Sequence, residues 1–176
     1  MKNVTSKPML SFSEALKLSC SRLTQLNGRS RRSEFWWFML VFIIAKFIVE
    51  MFLQTSVSTL TVQIIDLLLW GVAFAVTVRR LQDSGKSMWW VIASWATSAI
   101  YSVNLQLSGV YDKTGAAVGD PSVIMEFLKD PVTMTSYILS VITGILVFIF
   151  CLLDSNVEAN KYGESPKYMT SCEEEE

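Results

Sequence analysis

The sequence contains no histidine. That excludes a Ser–His or Cys–His catalytic pair and removes the most versatile metal ligand. Cysteine is scarce. Cys20, Cys151 and Cys172 lie far apart with no paired spacing, so neither a disulfide framework nor a zinc site is indicated. Cys20 and Cys172 fall on segments read below as cytoplasmic, where free thiols are the default. There is no excess of positive charge: 15 basic and 16 acidic residues leave a net −1, and no overall field favours nucleic acid. Charge itself makes up only 18% of the chain, against roughly 25% in ordinary soluble domains. No nucleophile elbow, metal-ligand spacing or dinucleotide fingerprint appears. Gly85-Lys86-Ser87 mimics the end of a phosphate-binding loop, but the motif's first glycine would fall on Arg80 and no strand precedes it. These absences predict a chain that is not an enzyme and that holds no cofactor or metal. The first 34 residues lack an apolar core of signal-peptide type, so no cleaved export signal is expected.

What is present is apolar length. The 176 residues suffice for one domain and hardly for two. Residues 36–78, 88–111 and 131–153 carry only three charges, Lys46, Glu50 and Asp66. A soluble fold disperses its charges over every element. This chain confines them between long apolar runs, which points to a bilayer. A hydrocarbon core of ~30 Å takes about 20 helical residues. Four segments reach that length, at about 36–53, 57–78, 88–107 and 132–153. They do not alternate as barrel strands would, and helices satisfy their own backbone groups in lipid. The expectation is an all-α polytopic membrane protein of four transmembrane helices in two hairpins, with a turn at 54–56 closing the first.

Basic residues set the orientation. Seven lie before position 36, three in the 79–87 stretch and two after Leu153, against only Lys113 and Lys129 in the 108–131 loop. The positive-inside rule places both termini in the cytoplasm. Ser11-Phe12-Ser13-Glu14 has the form of a capping box, and Phe12, Leu16, Ser19, Leu23 and Leu26 follow at helical spacing up to Asn27-Gly28. This predicts an amphipathic helix, lying either on the cytoplasmic membrane surface or on the protein's own loops. Asp120-Pro121 starts a short outer helix ending near Lys129. Residues 1–10 are expected to be a flexible N-terminus, 11–167 a single membrane domain, and 168–176 an acidic tail.

Two lead-in sequences look alike. The first span follows Arg29, Arg31, Arg32, Glu34, Trp36 and Trp37; the third follows Arg79, Arg80, Asp83, Lys86, Trp89 and Trp90. Each is a basic cluster with one acid and a Trp pair at the membrane face. Arginine chelates phosphate oxygens and Trp suits the headgroup layer. Each lead-in is therefore a candidate anionic-headgroup site. The plainer readings are a topology signal with an interface anchor, or an acid that pairs with an arginine and fixes the loop.

GRSRRSEFWWF (28–38), RRLQDSGKSMWW (79–90) and the later Asn160, Lys161, Tyr162, Gly163 and Pro166 resemble the bacterial family of small inner-membrane proteins numbered 805 among domains of unknown function. The resemblance spans about 12–167 and implies a multi-pass plasma-membrane protein of a bacterium, with no established reaction. The family's second motif usually reads RRLHD; Gln82 stands where the His is usual, so no imidazole titrates there.

Charges also fall inside the spans. Lys46 lies roughly 15 Å past Trp36, and Asp66 roughly 18 Å from the same face, at ~1.5 Å per residue. Glu50 is one turn beyond Lys46, and Gln63 one turn from Asp66. A lone charge at mid-bilayer costs on the order of 2.5–3.5 kcal/mol on insertion scales, so these residues should find one another. The cluster is either a polar clip between two helices or an ion-responsive site. The reading as a whole is a non-catalytic component that organises lipids (anionic phospholipid among them) or proteins at the cytoplasmic leaflet, with a homo-oligomer or other membrane proteins as candidate partners. The alternative is a small oligomeric transporter or channel built on Lys46, Glu50 and Asp66.

Overall fold

A computed structural model describes residues 2–53, 59–107 and 129–172. The expected 54–56 turn, the outer helix from Asp120, the EEEE tail and the side chain of Gln63 lie outside the described residues. Among those described, the order is β1 (Lys2–Ser6), α1 (Phe12–Ser21), α2 (Arg32–Leu53), α3 (Thr59–Asp83), α4 (Trp89–Leu107), α5 (Pro131–Leu152) and β2 (Tyr168–Cys172). The architecture is all-α apart from one two-stranded ribbon.

Local chemistry sets the helix starts. Ser11 caps α1: its backbone N–H donates to Glu14 Oε2 at 2.9 Å while Glu14 N–H donates to Ser11 Oγ at 3.4 Å. Pro131 takes the first position of α5, and Asp130 accepts from the N–H groups of Val132 and Thr133 at 3.1 and 3.3 Å. Glu34 sits in the first turn of α2, where the helix dipole favours an anion.

The helices extend past the expected spans at the charged ends. Arg32 to Phe35 already belong to α2, and Arg79 to Asp83 form the last turn of α3 instead of a loop. Among the described residues two helices, α2 and α5, are long and apolar enough to cross a membrane, where four were expected. Polar residues interrupt the other two: α3 holds Gln63, Asp66 and its terminal charges, and α4 holds Ser, Thr and Asn.

Residues 1–10 were expected to be a flexible N-terminus, but the chain is paired from Lys2. Strand β1 pairs antiparallel with β2, Val4 opposite Thr170, and Lys7 N–H donates to the Lys167 carbonyl at 2.8 Å. Five residues far from their partner give no strand signal in a linear reading.

Two compact units divide the chain, Met1–Met88 with Phe150–Glu176, and Trp89–Ile149. In the first, α1 packs on α2 and α2 on α3. Phe38 stacks on Phe42, and Phe42 meets Trp70 edge-on at 5.6 Å. In the second, Thr97 and Thr143 share a hydrogen bond of 3.0 Å, and the rings of Tyr101 and Tyr137 lie 5.4 Å apart.

The first unit buries charge beside its hydrophobic core and leaves large apolar side chains outside. Its largest fully buried side chains include Arg79, Arg80, Gln82 and Glu34, whereas Phe47 and Leu68 are 65% and 68% exposed.

Candidate functional site

The charged lead-ins are brought together by the ends of α2 and α3 and by the segment after α5. Arg79 and Arg80 are consecutive on α3, so their side chains leave the helix about 100° apart and reach different neighbours. Asp83 is three residues past Arg80 and shares its face.

Asp83 is fully buried. Its Oδ1 accepts from Arg29 Nε at 2.9 Å, and its Oδ2 accepts from Arg80 Nη1 at 2.6 Å and from Ser155 Oγ. Its carbonyl accepts from Asn156 N–H at 3.0 Å. Glu34 receives Arg22 Nη2 on both oxygens, at 3.0 and 3.1 Å, and lies 3.8 Å from Arg79 Nη2. The two lead-ins thus exchange partners. The arginine of the first, Arg29, holds the acid of the second; the acid of the first, Glu34, faces an arginine of the second.

The guanidinium groups also close helix ends. Arg79 Nη1 donates to the carbonyls of Arg22 and Gln25 beyond α1, the latter at 2.6 Å. Arg80 donates from Nε to the Cys151 carbonyl at 3.0 Å and from Nη2 to that of Leu153, at the end of α5. Neither α1 nor α5 has a basic residue in its own last turn. A cation there meets carbonyls without helical partners and the negative end of the dipole. Burial pushes both guanidinium groups below their ordinary pKa; Glu34 opposes this for Arg79 and Asp83 for Arg80.

The third motif completes the network. Arg29 Nη1 donates to the carbonyls of Glu158 and Gly163 at 3.0 and 3.2 Å. Gly163 adopts φ +122°, a conformation that disfavours a side chain, and its carbonyl is thereby offered to Arg29. Asn160 Nδ2 donates to the Gln82 carbonyl at 2.9 Å, and its Oδ1 accepts from Tyr162 N–H at 2.9 Å. Gln82 is buried, and its side-chain Oε1 has no hydrogen-bond partner among the described residues.

Arg29, Arg79 and Arg80 are thus turned into the interior of the first unit. Their side chains are at most 2% exposed and turn inward onto carboxylates and carbonyls. Arg31 is also engaged, donating to the carbonyls of Pro8 and Lys7 at 2.7 and 3.4 Å. Arg32 is the exception, half exposed beside Asp154 at 3.4 Å. Lys86 lies over the Phe150 ring at 5.3 Å, and Lys161 over Tyr162 at 5.0 Å. Trp36, Trp37, Trp89 and Trp90 are exposed, and Pro166 is partly buried.

Linear reading missed Arg22, Ser30, Ser155 and Asn156. Ser30 Oγ accepts from Arg79 Nε at 3.2 Å. Arg22 carried one signal, a lone arginine at the end of an amphipathic helix; the serines and Asn156 carried none.

The second polar cluster joins α2 and α3. Lys46 Nζ contacts Glu50 Oε1 and lies 2.7 Å from Asp66 Oδ1. It also lies 5.7 Å from the Trp70 ring centroid. One cation thus faces two carboxylates, each about a third exposed at 35% and 36%. Among the described residues no group of three or more Cys, Asp or Glu could hold a metal ion.

A family model described as "Protein of unknown function (DUF805)" matches residues 23–164, a stretch that contains the first two motifs and the third as far as Gly163. No curated protein and no solved structure matches the chain.

Proposed function

As the chain belongs to the DUF805 family of proteins of unknown function, we propose that it is a non-catalytic, multi-pass component of the bacterial inner membrane. It organises lipids or partner proteins at the cytoplasmic leaflet. All four long helices cross in this reading, and both termini face the cytoplasm. Helix α3, at 25 residues, is long enough to return across the bilayer from α2, and α4 has 19 residues. The basic bias at the motifs favours the inner face.

One observation carries the functional reading. The charged motifs are joined to one another inside the first unit. A network whose carboxylates are held by arginines, and whose arginines close helix ends, supports a structural role. It builds a fixed platform. Lipid contact then falls to the exposed Arg32 and Trp pairs and the half-buried Lys86, in place of Arg29, Arg79 and Arg80. Arg32→Gln with Lys86→Gln is expected to lower co-purified anionic lipid, by mass spectrometry of protein extracted from native membranes, without loss of folding. Unchanged lipid content would leave only protein partners, read from the same pull-down. Catalytic turnover by the purified protein would reject the proposal.

A second reading is favoured by the Lys46–Glu50–Asp66 cluster, which joins two helices and carries one uncompensated negative charge. In this reading an oligomer conducts protons or ions along it. Liposome flux abolished by Asp66→Asn supports transport; absence of flux with protons and alkali cations supports the platform.

A further inference from the structure

Helix α1 packs on α2 through Ala15 and Ser19, both fully buried. That satisfies its inner face and leaves its first turn unexplained. Phe12 is 47% exposed, and Met9, just before the cap, is 79% exposed. The Phe12 ring meets Trp37 edge-on at 5.3 Å. At its other end α1 is tied to Glu34 through Arg22. Trp37 lies three residues further along α2 than Glu34, roughly 4.5 Å at ~1.5 Å rise. So α1 dips, its N-terminal end toward the apolar length of α2. The exposed apolar strip of α2, through Leu40, Ile44 and Phe47, runs without a break from Trp37 and so onto Phe12. The face carrying Lys17 and Ser21 is polar and exposed.

We infer that Met9 and Phe12 seat in the boundary between headgroups and acyl chains of the bilayer around α2, making α1 an interfacial anchor. Continuity with the apolar strip identifies the occupant as phospholipid. A protein partner would need no alignment with the depth of Trp37. Aromatic and thioether side chains suit that layer, and the capping box fixes Phe12 at the first helical position. The inference rests on the reading that α2 crosses a membrane.

The test uses the full chain with Cys20→Ser and Cys172→Ser, reconstituted in phosphatidylcholine–phosphatidylglycerol vesicles. Nitroxide labels are placed in turn through Met9→Cys, Phe12→Cys, Lys17→Cys and Ile44→Cys. The ratio of oxygen to nickel-chelate collisions should be several-fold higher at positions 9 and 12 than at 17, and highest at 44. If 9 and 12 match 17 while 44 is in lipid, the anchor is wrong and the membrane reading stands. Labels at 9 and 12 shielded from both reagents would mean a protein covers them, and would also overturn it. An aqueous 44 would sink both. Should Phe12→Cys fail to fold, Met9→Cys carries the test, because its side chain is exposed.

Discussion

Asp83 is the residue on which the first unit turns. It pairs with Arg29 and Arg80, accepts from Ser155 and ends α3. Removing one partner of a buried pair strands the other, at about 3–5 kcal/mol. A double-mutant cycle tests whether the two lead-ins are coupled. Asp83→Ala and Arg29→Ala are each expected to destabilise the protein in detergent, and the double variant should lose less than the sum, with coupling on the order of 1–3 kcal/mol. Additive losses would mean the two residues do not interact. The sequence displayed every member of this pair. What it hid was the assignment, because Arg29 has nearer acids, Glu34 among them, and the choice of Asp83 is made by how α2 and α3 end. The Lys46–Asp66 contact was more legible, since equal depth on neighbouring antiparallel helices is simple arithmetic along two rods.

At the scale of elements, the helices were readable because caps and apolar length are local signals. The ribbon was not, because β1 and β2 find each other only after the chain has returned. A clasp supports it. Asp154 accepts from Lys167 Nζ at 2.6 and 2.8 Å, and Arg32 lies beside it. Partial burial opposes ionisation of Asp154, but the bonds from Lys167 and Ser155 N–H and the charge of Arg32 outweigh it, so its pKa falls below the ordinary value. The bond to Asp154 raises that of Lys167. A lowered carboxyl contributes stability above its unfolded pKa and loses it as pH falls through the folded one. A raised amine contributes below its unfolded pKa and loses it as pH rises through the folded one. Amide protection at Lys7, which bonds Lys167, should therefore be highest between about pH 4 and 10 and fall on either side. Protection unchanged into acid below that window would show that the clasp does not support the ribbon.

For the molecule as a whole, buried charge is the organising fact. Arginines and carboxylates share the interior of the first unit with Phe35, Phe38, Phe42 and Leu81, while Phe47, Phe52, Leu67 and Leu68 face outward. Composition alone revealed the apolar runs. It did not reveal that the arginines meant for the membrane face would be drawn inward, since carbonyls at helix ends leave no mark in a sequence. The central claim is that these motifs gather on one side of a bilayer crossed by all four long helices. Cysteines introduced one at a time at Lys17, Lys86, Lys161 and Lys113, in a Cys20→Ser, Cys172→Ser chain that keeps only the buried Cys151, test it by labelling with an impermeant thiol reagent in oriented membrane vesicles. The account predicts reaction at 17, 86 and 161 only from the cytoplasmic side, and at 113 only from the opposite side. Reaction of 86 and 113 from the same side would contradict it.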